Sequence, residues 1–160
     1  MNCRPDSRKM VLRNFAQVDY ALWRGGRPDE SGARWLAAQG VRTVINLEWS
    51  HRDDNAFRDG PQVKLVRLCD WEPLPWFAPS VSDKHVRAFL AVVRSAERPI
   101  YVHCRSGQNR TGVMVAAYQL IIRNALLPDV LDEFWRFRGF WARGDERYIR
   151  TLDARRGSFQ

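Results

Sequence analysis

Disulfide and metal-ligand patterns are missing from this chain of 160 residues: its three cysteines, Cys3, Cys69 and Cys104, follow neither spacing. That argues against a disulfide framework and for a reducing compartment. Equally absent is an apolar run long enough to span a membrane, and Met1 to Met10 lacks the apolar stretch of a secretion signal. A cytoplasmic protein with no integral membrane association is the expectation. No metal site is expected either: His51, Asp53 and Asp54 have no further ligand at a suitable spacing and read as a solvated loop. Repeats, linkers and low-complexity segments are lacking too, and the length suits one domain with one core. We expect that domain to cover 13–160, after a loosely held polar segment, 1–12. Acidic excess is the last absence. A net charge of +8 and a pI near 10.1 favour an anionic partner, but an arginine-rich composition does not name one.

What is present reads as alternating strands and helices. Tyr20 to Trp23 reads as a short strand before a turn, Gly25-Gly26-Arg27-Pro28. A helix is predicted over Glu30 to Gln39, stopped by Gly40. Val41 to Leu47 and Val63 to Leu68 are β-rich runs between polar loops. From Ser82, a candidate N-cap, to Ala96 the apolar residues Val86, Phe89, Leu90 and Val93 recur at helical spacing. Pro99 to His103 is a further strand, Val113 to Ile122 an apolar helix, and two more helices are predicted, Pro128 to Phe137 ending at Gly139 and Asp145 to Leu152. This order implies right-handed crossovers and a single α/β domain, with a mostly parallel central sheet of about four to five strands flanked by helices. Ligands of such folds bind beyond the carboxyl ends of the strands.

At one such end stands His103-Cys104-Arg105-Ser106-Gly107-Gln108-Asn109-Arg110-Thr111-Gly112. Five residues separate Cys104 from Arg110, enough for a tight loop whose backbone N–H groups converge on one anion, with Arg110 closing over it as a planar two-pronged donor. A phosphoryl group fits that cradle best. The helix that follows turns its positive end toward Cys104, which favours thiolate over thiol, the form that attacks phosphorus. The competing reading makes Cys104 a small buried hydrophobe and Arg110 an ordinary helix-start charge. Agreement of residue type, spacing and context favours the nucleophile. His103 precedes it on the strand and should point away from the phosphate, orienting its surroundings without acting as a base.

The run HCRSGQNRTG resembles the signature of the cysteine-based protein tyrosine phosphatases, specifically the small dual-specificity branch of bacteria and plants. Fainter similarity extends over Ala21 to Pro28 and Val41 to Leu47, so the resemblance covers most of 15–155. It implies a phosphomonoester hydrolase working through a phosphocysteine, with no metal or organic cofactor. Cys104 would attack phosphorus, and Arg105, Ser106, Gly107, Gln108, Asn109 and Arg110 would hold the phosphoryl oxygens. Thr111 would donate its hydroxyl to the Cys104 sulfur. A general acid on the loop after the preceding strand would protonate the leaving oxygen. Here that loop is Leu68 to Trp76, which puts Asp70 first, Glu72 as its rival and Asp83, in a predicted first helical turn, third. Cys69 stands open as a protective disulfide partner of Cys104 or a buried strand cysteine. Arg143 and Arg147 would add charge to the rim if the last helices reach it.

The partner implied is a phosphorylated protein, reached by a dual-specificity or tyrosine phosphatase. Inositol phosphates, phosphoinositides and RNA 5′ ends are the substrates of relatives and stay open, with nucleic acid not favoured. Gln108 and Asn109 stand where lipid and inositol members often carry lysines. A non-catalytic phosphate-binding module usually lacks the cysteine, the arginine or the acid. A rhodanese-like sulfur carrier is disfavoured by Arg110-Thr111-Gly112 and the apolar helix after them.

Overall fold

A computed structural model describes residues 12–68, 79–137 and 142–160. Its centre is a five-stranded sheet in the order β1-β2-β5-β3-β4. Strands β2 (Leu22–Gly26), β3 (Thr43–Asn46), β4 (Lys64–Arg67) and β5 (Ile100–Cys104) are parallel, and β1 (Ala16–Gln17) runs antiparallel to β2. The expected parallel α/β sheet is therefore present. β1 was not expected, because two residues carry no alternation to read.

Period-two alternation sorts β5 between the two faces. Ile100, Val102 and Cys104 join the larger core, which also takes Leu22, Ile45 and the apolar sides of α2 (Asp83–Ser95), α3 (Asn109–Ala117), α4 (Leu127–Phe137) and α5 (Ala142–Ala154). Tyr101 joins Trp23, Leu36, Val41 and Val44 on the other face, under α1 (Glu30–Ala38). The sheet thus separates Cys104 from its neighbour His103, whose ring stacks on Tyr101 at 5.9 Å.

Local signals set most helix ends. Asp29 caps α1, accepting the Gly32 N–H at 2.7 Å, and Gly40 with φ +92° turns the chain after it. Ser82 is the N-cap of α2. The largest boundary difference is in α3, expected from Val113 but starting at Asn109, so the loop residues themselves form its first turn. Its far end widens into a π-helical turn, Tyr118–Ile122. A 3-10 turn, Arg156–Phe159, closes the chain and buries Phe159. The expected stop at Gly139 and the segment 1–11 lie outside the described residues.

Candidate active site

The loop from Arg105 to Gln108 joins the end of β5 to the start of α3, and each of its first three carbonyls is tied backward. Arg27 N–H donates to the Arg105 carbonyl at 3.3 Å, Asn14 Nδ2 to Ser106 at 2.8 Å and Arg24 Nη2 to Gly107 at 2.8 Å. A trans peptide sets its N–H opposite its carbonyl. Tying the carbonyls to Arg27, Asn14 and Arg24 therefore turns the N–H groups of 106–108 toward the opposite side of the loop. Gly107 makes this turn possible: its φ is +72°, and a Cβ there would fall 2.4 Å from the Gly25 carbonyl carbon. Gly25 in turn leaves room for Tyr101, whose hydroxyl donates to the Gly26 carbonyl at 2.7 Å.

A cavity of about 270 Å³ opens over this loop, lined by Cys104, Arg105, Ser106, Asn109 and Arg110 and walled by Glu48 to Ser50 and by Ser80. Cys104 is a free, buried thiol, 6% exposed at the cavity floor. Arg110 is fixed at one nitrogen, Nη1 donating to the Leu47 carbonyl at the end of β3 at 3.1 Å. The loop feeds the N-terminus of α3, whose first-turn N–H groups have no partner within the helix. An anion in this cavity therefore meets backbone donors, a guanidinium and the positive end of a helix at once.

Three charged groups that sequence reading missed shape the surroundings. Arg24 is fully buried and pairs with Glu133 at 3.3 Å. Burial lowers its pKa, against the opposing pull of Glu133. Glu48 is buried on the cavity wall and takes a two-pronged bond from Arg27 through Nε and Nη2. Asp145, 1% exposed on α5, accepts the Ser80 N–H at 2.5 Å and Asn109 Nδ2 at 3.1 Å. Burial pushes its carboxyl up from the ordinary range, despite those bonds and the nearby Arg110. Nonlocal partners gave none of the three a local signal.

Two expectations need correction. Asp53 is not part of a solvated loop: it is 4% exposed and its Oδ2 lies 2.9 Å from His103 Nε2, while His51 Nε2 lies 3.4 Å from its other oxygen. It fixes the imidazole that sequence reading assigned an orienting part. Among the described residues no group of three or more His, Cys, Asp or Glu side chains is placed to hold a metal. The second correction concerns Thr111, whose buried hydroxyl has no hydrogen-bond partner, the Cys104 sulfur included. The helical turn that begins at Asn109 puts Thr111 into the packed interior at 0% exposure, without aligning Oγ1 on the thiol.

Of the three candidate acids, Asp70 and Glu72 lie outside the described residues, as does Cys69. Asp83 is committed elsewhere: it accepts from Tyr148 Oη at 2.6 Å and pairs with Arg155 at 2.9 Å. The Arg155 bond and then the Tyr148 bond hold its carboxyl below the usual range. Arg143 and Arg147 are exposed on α5 and do not line the cavity.

A thiol and a guanidinium on one anion cradle, between the central parallel strand and a buried helix, define the cysteine-based phosphatases of dual-specificity architecture. The chain belongs to this class: residues 9–133 match the family described as DSP-PTPase phosphatase fused to NAD+ kinase. It is similar to the dual specificity protein phosphatase TpbA of Pseudomonas aeruginosa strain UCBPP-PA14, 30% identical over 143 residues, covering 88% of this chain and 60% of TpbA. To inositol diphosphatase DSP1 of Oryza sativa subsp. japonica it is 29% identical over 145 residues, covering 88% of this chain and 64% of the relative. The chain thus spans less than two thirds of both relatives. The crystal structure of P. aeruginosa TpbA superposes with a TM-score of 0.75 at 25% identity, covering 92% of this chain and 91% of that one. The catalytic core of the Saccharomyces cerevisiae PP-IP phosphatase SIW14 shares the fold at a TM-score of 0.71 and 21% identity, covering 91% and 93%. Among the described residues, no helix is long and apolar enough to cross a membrane.

Proposed function

We propose that this chain hydrolyses phosphomonoesters through a phosphocysteine and that its substrate is a phosphorylated protein. The observation that carries this reading is the shared cavity of Cys104 and Arg110 over a loop whose first three carbonyls are bound by Arg27, Asn14 and Arg24. The Cys104 thiolate attacks phosphorus, and the bond to the leaving oxygen breaks as Asp70 supplies a proton to that oxygen. Water then attacks the phosphocysteine, its proton passes to the same carboxylate, and the S–P bond breaks to release phosphate and restore the thiolate. Arg110 and the loop N–H groups carry the charge on the equatorial oxygens through both steps, the electrostatic work that dominates phosphoryl transfer. His103, held by Asp53 and stacked on Tyr101, keeps the end of β5 in place.

Cys104→Ser should abolish turnover of an aryl phosphate while keeping vanadate binding, since the cradle is backbone and Arg110. Wild-type-like turnover by that variant would overturn the mechanism. Asp70→Asn should slow esters of basic alcohols strongly and esters of acidic phenols little, because a proton donor matters in proportion to leaving-group basicity. Glu72→Gln giving that pattern instead would move the acid by two residues.

A second reading, hydrolysis of inositol phosphates, draws support from the 29% identity to inositol diphosphatase DSP1. Against it, Gln108 and Asn109 stand where lipid and inositol members often carry lysines. Specificity constants for phosphotyrosyl and phosphoseryl peptides, inositol phosphates, phosphoinositides and 5′-triphosphorylated RNA separate the classes.

A further inference from the structure

Arg24 is the one arginine sealed from solvent among the described residues, at 0% exposure. It stands two positions after Leu22 on β2 and so shares that residue's face of the sheet, toward α3 and α4. There its two ends reach different elements. Nη1 pairs with Glu133 of α4 at 3.3 Å, while Nη2 donates to the Gly107 carbonyl at 2.8 Å. Glu133 also accepts from Gln119 Nε2, and the Phe137 ring covers the guanidinium with its centroid 4.2 Å away. Gly112 leaves the space for this packing: a Cβ there would lie 3.0 Å from Phe134 Cδ2 and 4.0 Å from Arg24 Nη2.

Stability alone does not call for such an arrangement. A buried ion pair is often no more stabilising than well-packed neutral side chains of similar volume, and here Arg24 Nε is left buried without a hydrogen-bond partner. What the guanidinium supplies is a charge-assisted bond to one carbonyl of the anion loop. That carbonyl belongs to Gly107, which forms the turn at a φ of +72°. Glycine moves between backbone conformations more freely than any other residue, so the residue that permits the turn is also where the turn is most easily undone. Rotating the peptide after Gly107 would put a carbonyl oxygen where its N–H now points. In a loop that binds an anion through N–H groups, an oxygen there repels the ligand.

We propose that Arg24 is a positioning residue of the reaction, locking the peptide after Gly107 so that the loop keeps the shape that fits the transition state. Glu133 offsets the buried charge. The proposal rests on the phosphatase reading above.

The test uses two variants that keep the buried charges balanced and one control. Arg24→Lys retains a cation for Glu133 but loses the fork that reaches two acceptors at once. Arg24→Met/Glu133→Gln removes both charges. Glu133→Gln, the control, still offers Arg24 an amide oxygen and leaves the Gly107 bond in place. Well below the melting temperature of each protein, kcat for an aryl phosphate should fall about 10–100-fold in the first two variants, with KM within about threefold of wild type. The control should keep kcat within about threefold of wild type. Vanadate, which takes the trigonal-bipyramidal shape of the transition state, should lose more inhibitory strength than inorganic phosphate in the first two variants. A kcat that simply follows melting temperature across the three variants, or vanadate and phosphate weakened alike, gives Arg24 a structural role only and overturns the proposal while the Cys104 mechanism stands. A wild type that turns over no aryl phosphate overturns the phosphatase reading and the proposal with it.

Discussion

Behind the cradle, the carbonyls of Arg105, Ser106 and Gly107 are each bound to a residue before position 28, two glycines press together and Arg24 is sealed from solvent. At the mouth, Trp49 and Arg105 stand exposed. The floor has one way to pack, and it builds a geometry that any phosphomonoester would use. Substitutions in the floor should therefore damage all substrates alike.

The largest effect that sharpens this contrast is expected for Arg110→Lys. A point charge cannot replace two parallel donors, and kcat/KM should drop roughly 10²–10³-fold, equally for aryl and alkyl phosphates. Steady-state kinetics on both classes checks it. A drop confined to one class would move Arg110 from the floor to the mouth.

Gly107→Ala comes next and acts through packing. The new Cβ would lie 2.4 Å from the Gly25 carbonyl carbon at a φ of +72°, so β2 or the loop must shift. Stability should fall by about 2–4 kcal/mol and activity should fall with it. Denaturant midpoints measure the first, and a near-neutral result would mean the floor is less constrained than its contacts indicate.

Asp145 occupies the boundary between the two regions, joining Ser80 on the wall to Asn109 on the loop. Burial raises its carboxyl above the unfolded value, so its favourable contribution is complete below that unfolded value and is lost as pH rises through the folded one. Asp145→Asn removes that loss. The melting temperature of the variant minus that of wild type should therefore increase between pH 4 and pH 7. A difference that stays flat or declines would show that the hydrogen bonds outweigh the desolvation of the charge.

The smallest effect is expected for Asp83→Asn, which lies in neither region. Its ion pair with Arg155 is about 40% exposed on each side, and such pairs contribute ~0–1 kcal/mol. Stability should change by less than about 1 kcal/mol and the dependence of rate on leaving group should persist. Loss of that dependence would return Asp83 to the candidate acids.

The floor was legible in the sequence because its chemistry is contiguous: strand, Cys104, turn glycine, Arg110 and helix follow one another within a dozen residues. The parallel sheet was legible for the same reason, each strand and helix having its own periodicity. What escaped reading depends on distant partners. Asp53 looked solvated because His103 lies 50 positions away. Arg24 meets Glu133 across 109 positions, and Asp145 reaches Ser80 across 65. Thr111 failed in the opposite direction, since a helix starting four residues earlier than its apolar run buried the hydroxyl. Local pattern announces an element, but only packing says which polar groups will be sealed together.

Rapid mixing of the enzyme with an aryl phosphate, quenched in neutral denaturant and followed by peptide mass spectrometry, tests the central claim most directly. The account predicts a transient phosphoryl group on the Cys104 sulfur that forms as fast as the phenol is released and decays as phosphate appears. Phenol released at the same rate with no adduct on Cys104, or with the phosphoryl group on another side chain, would contradict it.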